Sequence, residues 1–250
     1  MKKAVLFIMT LALLTILAAC GEDAAKGDDK NNEKQQDQQE QQQQQQQPPK
    51  VEVTDKEKVK EDKVVVSVNG TDITGKKYNS VYAQTKMMMS QYGQDVSDTK
   101  KIKDMTISAL VEQEILKQDA KDKGIKVTEE EVQSAFEKDK SSTKGDFNKV
   151  LEQNHFTEES YKEQVELRLI VEKYANETLD IKVTDKEVQD YYDKILEQQE
   201  KAPEEQKQEV PKLKELEDQI RQQLKVQEEQ KLLQKRVNEL KDKAEIKTMI

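Results

Sequence analysis

The chain has 250 residues, one cysteine, one histidine, no tryptophan and a formal net charge of −9 at pH 7. A single cysteine excludes a disulfide framework and a thiolate metal site. The acid excess excludes electrostatic coating of nucleic acid or of an anionic lipid surface, and with 37% charged and 4% aromatic residues any core must be lean.

Lys2 and Lys3 precede an uncharged apolar run from Ala4 to Ala19, the pattern of a secretory signal and shorter than the ~20 residues of a spanning helix. Leu17-Ala18-Ala19-Cys20 has the form of a lipobox, so Cys20 is expected to carry lipid. Buried acyl chains, at roughly 0.8 kcal/mol per CH₂, would hold the protein on the outer face of a membrane. An ordinary cleavable signal with a chance cysteine is the alternative, but it does not account for the only thiol standing at this position. From Gly21 to about Asp62 the chain is polar and glutamine-rich. Such a segment cannot bury enough surface to offset its ordering entropy and is expected to be a disordered tether, spanning roughly 35 Å on average. The expected organisation is therefore a signal peptide at 1–19, a lipidated tether at 20–62 and a folded part at 63–250.

The folded part opens on alternating valines, Val64, Val66 and Val68, followed by Asn69-Gly70, the residues of a two-residue hairpin turn. Thr71 to Ile73 forms a short return strand and Thr74 can cap the first helix. Tyr78, Val81, Tyr82, Met88, Met89 and Tyr92 lie near helical spacing and predict that this helix runs to about Tyr92. A second helix, from about Thr99 to Lys123, is apolar on two sides and hence central; Gly124 ends it, with Ile125 placed for the accompanying apolar contact. Thr128 with Glu131, and Thr184 with Glu187, form capping boxes, with Val127 and Val183 as possible staples. Between them a wide apolar helix starts at Thr157. The last helix, from about Lys212 to Lys243, carries Leu213, Leu216, Ile220 and Leu224 on one face and Val226, Leu233, Val237 and Leu240 on the opposite one. This predicts a bend near Leu224 or two different partners. The final "AEIKTMI" has strand character and can extend the hairpin. None of the four prolines interrupts a periodic segment, so the fold class is mostly α.

Residues suited to catalysis are few. His155 lies in a loop before a helix start and has no second histidine or cysteine for a triad or metal site; a capping or surface role is expected. Glycines do not cluster into a phosphate loop, and no carboxylate pair stands out as acid and base. Met87, Met88 and Met89 point three ways on a helix. They serve either as core filler with one side chain exposed or as an adaptable apolar surface. With Tyr82 and Tyr92 they are the candidate client-binding residues.

In order, the lipobox, the tether, "VVVSVNGTDIT", "GIKVTEEEV", "LEQNHFTEESYKEQVELRLIVEKY", "IKVTDKEVQDYYD" and a terminal helix ending in a strand resemble the chaperone module of SurA-like and PrsA-like extracytoplasmic foldases. The client-binding part of trigger factor is also similar. The resemblance covers roughly Lys63 to Lys194 and Leu213 to the end. It implies a multi-helix chaperone module with a small N-terminal hairpin, extended by the C-terminal strand. In such foldases a parvulin-type prolyl isomerase domain usually follows the segment matching "VTDKEVQDYYD". Here the insertion is missing between about 195 and 212, a stretch below the ~40 residues at which an independent core becomes plausible. The implied function is a membrane-anchored holdase that binds unfolded or nascent secreted proteins through an apolar groove, without an enzyme activity, cofactor or metal. Monomer and dimer remain open, as do two other readings: an adaptor lipoprotein with one defined envelope partner, and a residual peptidyl-prolyl isomerase.

Overall fold

A computed structural model describes residues 51–204 and 207–250. The expected signal, the expected lipidation at Cys20 and the expected tether as far as residue 50 lie outside the described residues. β1 (Val64–Val68) and β2 (Thr71–Thr74) pair antiparallel, with Val68 opposite Thr71 and Val66 opposite Ile73. Asn69 and Gly70 turn the chain with φ of 51° and 83°, the left-handed pair that a type I′ turn demands. β3 (Ile246–Thr248) pairs antiparallel with the other edge of β1, giving the order β2-β1-β3. Asn69 secures this junction: its N–H donates to the Glu245 carbonyl at 2.9 Å and its Oδ1 accepts the Glu245 N–H at 2.8 Å. The two ends of the folded chain are thereby joined, as the strand character of the last residues predicts.

Seven α-helices are found among the described residues: α1 (Gly75–Gln91), α2 (Thr99–Asp122), α3 (Glu129–Ser142), α4 (Phe147–Gln153), α5 (Glu158–Thr178), α6 (Asp185–Lys201) and α7 (Leu213–Lys241). The fold is mostly α, as expected. Local signals set most boundaries. The Asp98 carboxylate accepts the Lys101 N–H at 3.0 Å to start α2. The Gly124 N–H reaches the Lys121 carbonyl and the Ile125 N–H that of Ala120, a Schellman ending with Ile125 buried. The capping boxes at Thr128 and Thr184 form, and Thr157 makes a third with Ser160. α4 falls outside the expectations drawn from periodicity: its seven residues show only Phe147 and Leu151 as an i, i+4 apolar pair.

Apolar burial falls into three clusters. The first joins Val65, Val66 and Val68 of the sheet to Tyr78, Tyr82 and Met89 of α1 and to Ile102, Leu110, Val111 and Ile115 of α2. The second joins Leu116 and Ala120 of α2 to Ile170 and Tyr174 of α5 and Val237 of α7. The third is an aromatic knot of Phe136, Phe147 and Tyr161, with rings packed edge to face at 5.5–6.1 Å. α2 contributes to two clusters, which is why it is apolar on two sides. α7 is one unbroken helix with two partners: its N-terminal half packs on α6, where Ile220 is buried, and its C-terminal half on α2. Val226, expected in a buried face, is instead half exposed at 50%, since it falls where the helix passes from one partner to the other.

The folded part also begins earlier than the expected boundary at residue 63. Val51 is buried, and Val53 and Val59 pack against the first cluster, so residues 51–63 form a strap laid along α1. Their high charge conceals the alternation of Val51 and Val53 with Glu52 and Thr54.

Candidate functional site

The strap and α1 are joined by polar contacts that sequence reading does not reveal. Tyr78, Tyr82 and Lys86 are spaced four apart and share one face of α1, so a lysine on that face requires a partner. The partner is Glu57 of the strap: Lys86 Nζ lies 2.6 Å from its Oε1, with the two side chains only 10% and 7% exposed. The Tyr82 hydroxyl donates to the same carboxylate at 2.9 Å, and Thr54 donates to it through both N–H and hydroxyl at 2.8 Å. Burial pushes the Glu57 carboxyl upward, but donation from Lys86, Thr54 and Tyr82 outweighs it and holds the group at about 2. Burial, reinforced by Glu57, pushes the Tyr82 phenol up, so it remains a neutral donor.

An open cleft of about 650 Å³ lies beside this strap, between α1, α2, α5 and β2. Its walls are charged: Glu114 and Lys117 from α2, Lys76 and Lys77 from α1, and Glu159, Glu163 and Glu166 from α5. Three ion pairs cross it, Lys76–Glu159 at 2.9 Å, Lys77–Glu163 at 3.6 Å and Lys117–Glu166 at 3.3 Å. Such solvated pairs contribute little each, so their side chains can be rearranged by an incoming chain. Ile73 and Ala83 are the apolar residues of its lining, beside the aliphatic stems of the charged side chains. The cleft thus differs from the expected apolar groove in carrying charged groups along its walls.

The candidate client-binding residues separate into two groups. Tyr82, Met87 and Met89 are buried, at 1%, 9% and 0% exposure, whereas Met88 and Tyr92 stand at 45% and 68%. Placing Tyr82 and Met89 on an open surface is corrected here: both belong to the first core cluster. Met88 and Tyr92, four residues apart at the C-terminal end of α1, are accessible. His155, at φ 57°, lines the cleft, and its Nε2 meets the Val51 carbonyl at 3.0 Å. Its role is to hold the strap. Among the described residues no group of three or more histidine, cysteine or acidic side chains is arranged to hold a metal. α6 and α7 pack directly on each other. Arg221 of α7 donates to the Val183 carbonyl at 3.0 Å and to Asp185 at 2.8 Å, and the Tyr192 hydroxyl donates to the Pro211 carbonyl at 2.9 Å. Only residues 202–212 separate the two helices.

The arrangement offers charged side chains, backbone-directed amide and ammonium groups, and an apolar face covered by the strap. The family described as SurA-like N-terminal domain matches residues 51–175, beginning at the strap. Proteins named foldase protein PrsA are similar to about half of this chain. That of Caldanaerobacter subterraneus subsp. tengcongensis is 33% identical over 150 residues, covering 55% of this chain and 44% of the relative. That of Clostridium perfringens is 31% identical over 150 residues, covering 54% and 43%, and that of Clostridium botulinum 29% over 163 residues, covering 57% and 47%. In each case the match spans less than half the length of the relative. With half of its length matched, the chain belongs to the family of SurA-like N-terminal domains.

Proposed function

We propose that this chain is an extracytoplasmic chaperone that holds non-native secreted polypeptides beside the membrane. The observation that carries the reading is the family match over the strap, the β1–β2 hairpin and the first five helices, supported by relatives named as foldases. The site is compatible with it: a wet, adjustable cleft adjoining a strap-covered apolar face binds weakly and without strict sequence demands, because ordering a client costs free energy. The proposal is non-catalytic, since the 202–212 connection is too short for an isomerase domain with its own core. The anchor we propose is lipid on Cys20, with residues 1–19 as signal and the segment up to the strap as tether. Cys20→Ala is expected to move the protein from the membrane to the soluble fraction; a variant still processed and membrane-bound would refute the anchor.

The function is tested by diluting several unrelated denatured secreted proteins into buffer with residues 51–250 and following light scattering. Suppression at near-stoichiometric ratios across clients is the expected result. Unchanged scattering for all of them would sink the holdase reading in favour of an adaptor with one native partner, to be sought by pull-down from the envelope.

A further inference from the structure

We infer that residues 51–60 are an intramolecular stand-in for a client: the strap occupies the chaperone's peptide groove, and an extended non-native segment displaces it. The inference rests on the chaperone reading above and names where the client sits. Three features of the strap support it.

The first is how the strap is held. Asn79 of α1 accepts the Val59 N–H at 2.9 Å and donates to the Val59 carbonyl at 2.8 Å. Lys86 donates to the Glu52 carbonyl at 2.8 Å, and His155 Nε2–H to that of Val51. These groups read backbone and ignore side-chain identity, so any extended polypeptide can satisfy them. Main-chain bonds of this kind give affinity, while pockets for alternate side chains give preference. Val51 and Val53 fill such alternate positions, Glu52 and Thr54 face outward, and the Glu57 carboxylate reaches Lys86. The strap thus states the chemistry of its competitor: two apolar, β-branched residues at alternate positions, with an acidic residue a few positions beyond.

The second is how the strap is attached. Its far end is fixed to the sheet and α1 by the Gly75 N–H on the Lys63 carbonyl at 2.8 Å and the Lys76 N–H on that of Glu61 at 3.0 Å. Between Val51 and Lys60 the regular structure is a single turn closed by the Glu57 N–H on the Thr54 carbonyl. The segment can therefore peel from its N-terminal end without disturbing β1.

The third is what peeling would open. Asn79 and His155, which hold the strap, also line the 650 Å³ cleft, and Glu61 forms part of its wall. With the strap away, the cleft becomes continuous with the Tyr78–Tyr82 face. Tyr82 then lines a client groove after all, in the open state alone. In the closed state the strap shields this face, and a client's apparent Kd is its intrinsic Kd divided by the open fraction.

The test is amide hydrogen exchange on the full chain with and without reduced, carboxymethylated lactalbumin, a permanently unfolded probe. The expected result is faster exchange at Glu57 and Val59 when the probe binds, with β1 and β2 unchanged. Gly75→Ala supplies a second measurement: its Cβ would lie 2.1 Å from the Lys60 carbonyl oxygen, so the strap must shift at its attached end and dock less well, and probe affinity should rise about tenfold. Asn79→Ala removes the two-bond clip without a clash and should act in the same direction if the glycine variant does not fold. Probe binding that leaves the strap amides protected overturns this inference and leaves the chaperone reading standing. Failure of the wild type and both variants to bind the probe overturns the two together.

Discussion

Asp119→Ala is expected to cost about 2–3 kcal/mol and to lower the unfolding temperature by about 5–10 °C. Asp119 lies near the end of α2, 11% exposed. It accepts from the Tyr174 hydroxyl of α5, from Arg236 Nη2 of α7 at 3.0 Å and from Lys123 at 3.1 Å. Arg236 Nε also donates to the Tyr174 oxygen at 3.1 Å, so one carboxylate ties together the three helices of the second apolar cluster. Deleting it leaves the hydroxyl of Tyr174, 1% exposed, without an acceptor and leaves Arg236, 29% exposed, with only the 3.6 Å ionic contact to Glu239. That partial exposure keeps the cost below the 3–5 kcal/mol of a fully buried broken pair. Burial opposes ionisation of Asp119, but its donors, Tyr174 and Arg236 first, hold the carboxyl below the ordinary carboxylate value. Its folded-state value being depressed, its contribution is complete above the unfolded value and disappears as pH falls through the carboxylate range. Thermal melts at pH 7 and pH 3 check both statements: the variant should differ from wild type at pH 7 and approach it in acid. A melt unchanged at pH 7 would show that the three-helix tie contributes nothing.

Networks of this sort are what the sequence conceals. The hairpin, the terminal strand, both predicted capping boxes and the two partners of α7 were legible because each rests on local chemistry or periodicity: Asn69-Gly70 needs only its own φ values, and Thr128 with Glu131 only one helical turn. Asp119, Tyr174 and Arg236 are 55 and 62 residues apart in sequence, and each alone reads as an ordinary helical surface residue. The strap was hidden differently. Its composition is that of a tether, and only the pairing of Val51 and Val53 hints at a buried edge. A clearer signal was available on α1, where Lys86 falls on the Tyr78–Tyr82 face and demands an acidic partner from elsewhere in the chain. The candidate Met–Tyr surface was only half legible because spacing identifies which residues share a helix but not which side of it a neighbour covers. For that reason Met88 is open while Met87 and Met89 are buried.

Lys86→Met should loosen the strap before it unfolds the protein. Without the ammonium group, the Glu57 carboxylate is left 7% exposed with only neutral donors, Tyr82 and Thr54. A rigidly buried charge in that position would cost 3–5 kcal/mol, but here the strap can swing out and return the carboxylate to water. The loss is therefore capped at the docking free energy of the strap, about 2 kcal/mol, which corresponds to roughly thirtyfold faster exchange at Glu57 and Val59. Glu57→Gln in the same background removes the charge that needs solvating and keeps an acceptor for Tyr82, so the double variant should recover part of the protection; a double-mutant cycle with a coupling near zero would show that the pair does not hold the strap. The pH dependence has a definite sign. Glu57 falls from the ordinary 4.5 to about 2 on folding, so the wild-type strap has its full stability above about pH 4.5 and loses it as pH drops toward 2. The full shift amounts to about 3 kcal/mol, which screening on the solvent side of the strap reduces to roughly 1–2 kcal/mol. Strap exchange, corrected for intrinsic rate, should accordingly rise in the wild type between pH 4.5 and 2 and stay flat in Glu57→Gln. If the two titrate alike, the carboxylate–lysine contact is not what keeps the strap in the groove.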